Sequence, residues 1–361
     1  MTTLRRWGVV ALAAVVVVVV PLAVRALPVR ASDAPATTLL ERARGGVSSA
    51  WSGSVELHGT LQLPDAGEAT ELAGLLGEQT VLRAWWQDRR HWRVDRLLLT
   101  GETDLRRDGD RTVEWSYERN RATVSRDPDI RLPRAGDLLP PVIAERLLRG
   151  VTDATILPAR RLAGRAAAGL RVVPASPVSS IGRVDLWVDD DTGVPLLVEV
   201  YARGSTAADF TSRFTDFSPT APAADTLGFT APPGAEVRFD DVLDIADAAN
   251  QYAPLRPPAS AAGLPQSDAS DGAVGVYGQG AAQVIAIPLR DREAQAFRDQ
   301  MAATPGVERD GRRSVVTLGP LGVLLTGEDG EGGWLLAGTL TRDALVRAGD
   351  DVLTGSRFVR R

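Results

Sequence analysis

The 361-residue sequence contains no cysteine, which excludes structural disulfides, thiolate zinc sites, cysteine nucleophiles and a lipid-modified N-terminal cysteine. It also contains no lysine, because all 41 basic residues are arginine. P-loop ATPases, Schiff-base enzymes and kinase-type phosphate clamps each need a lysine amine, so they are excluded as well. Only two histidines occur, His58 and His91, and neither begins a His-Glu-x-x-His zinc motif. Composition thus removes most familiar catalytic classes.

The remaining chemical motifs are also incomplete. No Gly-x-Ser-x-Gly elbow occurs, and the Gly-x-Gly that begins at Gly278 has glutamine where a dinucleotide loop needs its third glycine. The run 189–191 followed by Gly193 fits a hairpin turn better than a calcium loop. We expect no cofactor, no metal and no catalysis. A glycosidase-type carboxylate pair stays open, since 46 acidic residues give no way to choose one.

The N-terminus has the pattern of an export segment. Arg5 and Arg6 precede an uncharged stretch over 7–24 that is rich in valine and alanine, a length at which a signal peptide and a membrane anchor are hard to separate. Small-residue cleavage sites follow Ala26, Ala31 and Ala36. The sequence therefore predicts a signal peptide or membrane anchor over 1–31 and an extracytoplasmic location, at the cell membrane if this segment is retained.

The exported part is acidic. Removal of 1–31 deletes four arginines and no acid, so the formal charge changes from −5 to −9. An acidic surface binds nucleic acid and anionic membranes poorly. We therefore expect no nucleic-acid partner.

Residues 37–244 read as one strand-rich domain. Apolar and polar residues alternate with the period of two that is typical of half-buried strands. The predicted strands are 53–63, 79–88, 91–99, 169–174, 182–189, 194–202 and 208–217, with another around Trp115 after the turn at Asp108-Gly109-Asp110. Helices are predicted over 37–50 and over 137–149, the second with Asp137 as its cap and two prolines in its first turn. This pattern predicts a large antiparallel sheet that carries a few helices, an α+β fold.

A composition change marks a second unit. Residues 252–270 are rich in proline, alanine and serine, which predicts a linker over 245–270. Beyond it, strands are predicted over 272–288, 314–326 and 333–340, and helices over 291–303 and 341–353. We therefore expect a small α+β domain over 271–355.

Tryptophans are concentrated in the first domain, although aromatic residues make up only 5% of the chain. Such rings either fill a core between sheet and helices or line an apolar groove. Because successive strand residues face opposite sides, Trp85 and Trp86 must point apart. We take Trp85, Trp86, Trp92 and Trp115 as candidates to line a ligand or partner groove on the concave face of the sheet.

The order of these segments resembles a known family. The first domain is similar to the LolA-like half-barrel, and the two-domain plan resembles the MucB/RseB group of extracytoplasmic sigma-factor regulators. The segments that carry the resemblance are GSVELHGTLQL, RHWRVDRLLLTGE, RRDGDRTVEWSYERN, LAGRAAAGLRVVPA, GRVDLWVDDDTGVPLLVEVYA and, in the second domain, WLLAGTLTRDALVRAGDDVL.

The resemblance implies a curved antiparallel sheet with helices in its concavity, a cavity for lipid-like ligands and no catalysis. The expected function is then regulatory, through binding of an anti-sigma factor or another envelope or membrane protein, with a lipid or acyl ligand as modulator. The alternative is a carrier of lipid or lipoprotein across the envelope space. An open apolar cavity would favour the carrier, and a cavity plugged by side chains would favour the protein-binding module.

Overall fold

The computed structural model describes residues 32–61, 69–77, 79–98, 101–240 and 242–359. The predicted export segment 1–31 lies outside the described residues. No helix in the described ranges is both long and apolar enough to span a membrane.

The first half of the large domain is a meander of antiparallel strands. Its members are β1 (Trp51–Gly59), β2 (Gln79–Asp88), β3 (His91–Leu98), β4 (Gly101–Asp108), β5 (Arg111–Ser116) and β6 (Arg121–Arg126). The predicted turn joins β4 to β5, where Gly109 adopts a φ of +64° that favours glycine. The period-two pattern therefore located β1, β2, β3 and β5 to within a few residues, whereas β4 and β6 were not predicted.

A second antiparallel meander completes the sheet. It contains β7 (Thr155–Leu162), β8 (Arg165–Val172), β9 (Ile181–Asp189), β10 (Pro195–Ala202) and β11 (Phe210–Ser218), and a short strand β12 (Glu236–Phe239) follows. β1 pairs antiparallel with β11, and β12 pairs parallel with β6. The resulting order is β12-β6-β5-β4-β3-β2-β1-β11-β10-β9-β8-β7, an open sheet with β12 and β7 at its edges. This arrangement confirms the predicted large antiparallel sheet of an α+β protein.

Helices pack on one face of this sheet. They are α1 (Ala36–Gly45), the 3₁₀ turn Gly46–Ser48, α2 (Ala69–Gly77), the 3₁₀ turn Ala135–Leu138 and α3 (Pro140–Leu147); α4 (Ala224–Leu227) follows β11. Leu39, Leu40 and Ala43 of α1 are buried, as are Val142 and Ile143 of α3. Burial of these aliphatic side chains against the sheet forms the main core.

The helix predicted over 137–149 is wrong in its first turn. Leu139 is extended, with φ −68° and ψ 143°, and separates the 3₁₀ turn from α3. A residue that precedes proline is pushed out of the helical region, and Pro140 follows here. Asp137 consequently does not cap α3; its carboxylate accepts from the Arg134 amide and pairs with Arg131 and Arg146.

The second sheet is smaller and is flanked by two helices. Its order is β16-β17-β21-β20-β19-β18, built from β16 (Gly275–Gln279), β17 (Ala282–Leu289), β18 (Glu308–Arg309), β19 (Arg313–Leu318), β20 (Leu321–Thr326) and β21 (Gly333–Gly338). The helices are α6 (Asp291–Ala302) and α7 (Arg342–Gly355). Each of the predicted strands 272–288 and 314–326 is instead a hairpin, because Gly280 and Gly319 reverse the chain with φ of +61° and +54°.

The predicted linker 245–270 contains regular structure. Asp244 caps the N-terminus of helix α5 (Ile245–Tyr252), since its carboxylate accepts hydrogen bonds from the amides of Ala246 and Asp247. Two further short pairings follow, of β14 (Ser260–Ala261) with β15 (Leu264–Pro265) and of β13 (Leu255–Arg256) with β22 (Arg357–Phe358). Ala246 and Ala249 are buried against Ile130 of the first domain and Val274 of the second. The first eight residues of the predicted linker are therefore a close-packed helix, whereas the stretch rich in proline, alanine and serine follows it.

Candidate functional site

An aromatic ladder crosses the helix-covered face of the large sheet. Trp51 and Trp86 stack at 5.6 Å between ring centroids, and Trp86 stacks on Trp92 at 6.0 Å. Phe214 meets the edge of Trp51 at 5.2 Å. The register explains the ladder, because Trp51, Trp86 and Trp92 are direct cross-strand partners on β1, β2 and β3.

The ladder is covered by the protein itself. Trp86 and Trp92 are only 5% and 6% exposed, and Trp51 is fully buried. The Trp86 indole Nε1 donates to the Val47 carbonyl at 2.8 Å. On the other side, a Cβ at Gly136 would lie 2.9 Å from the Trp92 ring, so the 3₁₀ turn Ala135–Leu138 rests directly on that indole. These two predicted groove residues are therefore packed beneath the chain's own helices.

Trp85 and Trp115 lie on the opposite face. Trp85 pairs with Arg93, and Trp115 pairs with Asp104, in rows that alternate with the aromatic ladder. The Arg93 guanidinium lies 4.9 Å from the centre of the Trp85 ring. Trp115 is buried between Tyr117 and Phe229. The structure thus divides the four predicted groove tryptophans two and two between the faces of the sheet.

A buried ion cluster accompanies Trp115 on this opposite face. Arg93 binds both oxygens of Asp95 at 2.6 Å and reaches Asp104 at 3.1 Å, and Arg106 binds Asp104 at 2.8 Å. Asp95 is 1% exposed and Asp104 is fully buried. Burial, with the Asp104 charge beside it, raises the pKa of Asp95 to about 7 despite the hydrogen bonds from Arg93. Asp95 and Asp104 thus share two arginines, and the Glu102 carboxylate lies beside them.

Carboxylate oxygens of Asp95, Glu102 and Asp104 lie within 4.8 Å of one another, a spacing that a metal ion could use. Asp104 Oδ1 is buried without a hydrogen-bond partner among the described residues. However, both oxygens of Asp95 are already engaged by Arg93, and two guanidinium groups would repel a divalent cation. The donor set therefore does not fit a divalent cation.

A chain segment covers the cluster from outside. After β11, residues 219–235 pass over this face and place the Phe229 ring 5.7 Å from Trp115 and 5.5 Å from the Arg106 guanidinium. Arg106 also donates to the Gly228 carbonyl. The opposite face is thus closed locally by this segment, with Arg106 linking it to Asp104.

A cleft of about 600 Å³ lies where the two sheets meet. Its walls are the loop after α3 (149–153), the loop after β8 (173–176), residues 264–268 and the hairpin around Gly280. Val173 is 66% exposed at its rim. Polar and apolar groups both line this cleft, which suits a protein segment better than an acyl chain alone.

The walls of the cleft are held together by hydrogen bonds between the two units. The buried hydroxyl of Ser179 donates to the Ala281 carbonyl at 2.7 Å. The Ser180 amide donates to Thr339, and the Thr341 amide donates to Val178. A cleft between units fixed in this way is pre-organised for a partner, since little order is lost on binding.

Sequence reasoning missed the ion cluster, the covering segment and the cleft. One local signal was available for the cluster, because Arg93 and Asp95 on one strand, and Asp104 and Arg106 on the next, are spaced by two and so share a face. No local pattern indicates the cleft, since its walls come from four separate parts of the chain.

No protein-family model matches the sequence, and no curated protein matches it. Among solved structures, this chain is similar to a chain of the Pseudomonas aeruginosa MucA/MucB complex, with 18% identity over 91% of this chain and 100% of that chain and a TM-score of 0.51. MucB alone gives 17% identity over 88% and 96% of the two chains, with a TM-score of 0.47. A LolA superfamily protein from Nitrosomonas europaea gives 11% identity over 54% and 98%, with a TM-score of 0.25.

The first of these comparisons extends over nearly the whole of both chains, so the likeness includes both sheets and their connection. At this identity the likeness is one of fold. It confirms the resemblance to the MucB/RseB architecture that the sequence predicted.

Proposed function

We propose that this chain is an exported, non-catalytic binding protein that regulates an envelope partner by binding it, and that the partner is an anti-sigma factor. The observation that carries the proposal is the filled helix-covered face. A carrier needs an open cavity that accepts and releases an acyl chain, whereas here Trp86 and Trp92 are only 5% and 6% exposed beneath the covering helices. Because the protein's own side chains already fill this face, a protein-binding module is favoured over a carrier.

The partner surface in this proposal is the cleft between the two sheets. Its walls are fixed by the bonds of Ser179 and Ser180, and its rim offers Val173 as an apolar contact. The fold likeness to a chain of the MucA/MucB complex supports a protein partner. The export segment predicted over 1–31 supports binding of this partner outside the cytoplasm.

The proposal is tested by isothermal titration calorimetry of the purified protein with the extracytoplasmic segments of the anti-sigma factors of the same organism. We expect one of them to bind, and Val173→Arg to weaken that binding by about tenfold or more, because a charge would be buried against an apolar contact. The matched control is Leu98→Arg, since Leu98 is also exposed but lies on β3 away from the cleft.

Native mass spectrometry of the same preparation distinguishes the carrier. A stoichiometric lipid bound to the protein, together with no binding of any anti-sigma segment, would contradict the proposal and favour transport of lipid.

A further inference from the structure

The two edges of the large sheet differ in how they are protected. Edge strand β7 carries Pro158 and an irregular register between Leu157 and Arg160, and Arg160 folds over the Trp187 ring at 3.8 Å. Proline, bulges and edge arginines all prevent another strand from pairing. β7 is therefore a blocked edge.

Edge strand β12 (EVRF) contains neither proline nor a bulge, and its register with β6 is unbroken. Its one arginine, Arg238, pairs with Glu236 of the same strand. The amides of Glu236 and Asp240 donate inward to Asn120 and Val124 of the β6 side. Since backbone groups alternate along a strand, the N–H and C=O of Val237 and Phe239 point away from the sheet. A row of backbone donors and acceptors is thus presented outward.

The same strand exposes apolar side chains. Phe239 is 81% exposed and Val237 is 45% exposed. They lie beside Val124 and Ala122 of β6, so they extend the face that carries Trp115. An edge that offers both free backbone groups and an apolar row is the surface used when a peptide adds as an extra strand.

The edge leads into a second cavity of about 960 Å³. Leu243, Ile245 and Ile287 supply apolar lining, and Leu243 is 47% exposed. Of the acids around it, Asp127 is paired with Arg107, Arg131 and Arg134, and Glu293 with Arg290.

Asp244 and Asp247 have no cation within 4 Å among the described residues; they accept only from backbone amides and from Gln251. Arg126 and Arg290 also line the cavity, so its lining holds four acids and two arginines, and Asp244 and Asp247 are the two acids that pair with no arginine of the described residues.

We infer that β12 and this cavity form a docking surface for an extended protein segment of alternating apolar and basic residues. Such a segment would add as a strand to β12, place apolar side chains beside Val237 and Phe239, and bring a cationic side chain to Asp244 and Asp247. The inference rests on the proposed function only in that the occupant is a protein, and it uses a surface separate from the cleft.

The test measures fluorescence anisotropy of two labelled hexapeptides, one of alternating valine and lysine and one of alternating valine and glutamate. We expect the lysine peptide to bind more tightly by about tenfold or more, since charge complementarity selects the partner. Asp247→Asn should reduce this preference, whereas Asp225→Asn, which changes an acid on α4 outside the cavity, should leave it unchanged.

Two variants address the edge itself. Val237→Pro removes an outward N–H without touching the bonds that Glu236 and Asp240 make to β6, and Val237→Thr is its matched control because it keeps the N–H. Phe239→Ser removes an exposed ring and should not affect folding. We expect Val237→Pro and Phe239→Ser to weaken the lysine peptide by about fivefold or more, and Val237→Thr to change it little.

Equal binding of both peptides, or full binding by folded Phe239→Ser, would overturn the inference. A wild-type dimer in light scattering that Val237→Pro converts to monomer would assign the edge to a second copy and overturn it too. If the peptide binds but no anti-sigma segment does, the proposed function alone is contradicted. If an anti-sigma segment binds through Val173 and the peptide does not bind, this inference alone is contradicted.

Discussion

The raised pKa of Asp95, in the ion cluster on the opposite face of the sheet, makes the stability of the fold depend on pH. This pKa is raised to about 7, mainly by burial, whereas an unperturbed aspartate titrates near 3.8. The folded state therefore holds this proton more tightly than the unfolded state. The stabilisation it provides is present at low pH and is lost as pH rises from about 4 to about 7.

We expect Asp95→Asn to reduce this loss, since the amide is neutral at every pH and nearly the same size. The measurement is the free energy of unfolding in urea at pH 5 and at pH 8. At pH 8 the free energy of unfolding of the variant should exceed that of wild type by on the order of a few kcal/mol. An identical pH dependence in the two proteins would contradict the assigned proton.

Glu293→Gln is the control with opposite sign. A hydrogen bond from the Arg290 side chain lowers the pKa of Glu293 below its usual value. Its stabilising contribution is present at neutral pH and is lost only as pH falls below the usual glutamate range. This variant should therefore leave the difference between pH 5 and pH 8 nearly unchanged.

The adjacent indoles of β2 give a second residue-scale prediction. Trp86 is 5% exposed within the ladder, whereas Trp85 is half-buried on the other face against Arg93. We expect Trp86→Ala to lower the free energy of unfolding by roughly 3–5 kcal/mol, because it leaves a large cavity between two rings. Trp85→Ala should cost much less, and urea denaturation of the two variants measures the difference. Equal losses would contradict the division of the indoles between the faces.

Only part of this residue-scale picture follows from the sequence. The opposite orientation of Trp85 and Trp86 follows from the period of two and could be predicted. The burial of Trp86 depends on Val47 and on the turn at Gly136, which come from distant parts of the chain. No local pattern reports those contacts.

At the scale of elements, the 3₁₀ turn Ala135–Leu138 acts as the cover of the ladder. A Cβ at Gly136 would come within 2.9 Å of the Trp92 ring, closer than side-chain atoms pack. We expect Gly136→Ala to lower the free energy of unfolding by about 1–3 kcal/mol through overpacking, as measured by thermal or urea denaturation.

Gly45→Ala is its matched control. Gly45 ends α1, and nothing lies within 4 Å of the position that its Cβ would take. Because alanine has the higher helix propensity, this change should be neutral or slightly stabilising. A loss at Gly45 as large as that at Gly136 would mean that the Trp92 contact is not the cause.

Elements with strong periodicity were predictable, and short or interrupted ones were not. Burial alternates along β2 over most of its ten residues and along β3 over its first four. β12 is four residues long and pairs parallel to β6, far from it in sequence, so it leaves no recognisable period. The break at Leu139 required the steric effect of Pro140 to override an apolar stripe that otherwise reads as one helix.

At the scale of the whole molecule, the division into 37–244 and 271–355 remains a prediction. Residues 245–270 connect the two sheets, and after α5 they contain no strand longer than two residues. We expect limited proteolysis with subtilisin to cut in this range before it cuts in 182–202, which forms β9, β10 and their turn. First cleavage within 182–202 would contradict the division.

Trypsin is unsuited to this experiment, because Arg256 is the one basic residue between 245 and 270 and Pro257 follows it.

The α+β class and the large antiparallel sheet could be predicted because alternation repeats through most of the first domain. The joining of its two meanders could not be predicted, since Ser52 pairs with Ser218 and nothing in either segment indicates the other. The cleft has the same origin, as its walls are brought together by the docking of two units rather than by any one motif.

The pairing of β1 with β11 has a consequence for how the chain is made. Both meanders can form hairpins from neighbouring residues, but the strand that opens the first must wait for the strand that closes the second. Contacts so distant in sequence raise the contact order and slow folding. Until β11, which ends at Ser218, has been synthesised and has reached β1, the unpaired side of β1 can pair wrongly with other chains. The time during which β1 can mispair and aggregate is therefore set by how fast the rest of the chain, up to β11, becomes available to it. The rate of local hairpin formation does not set it.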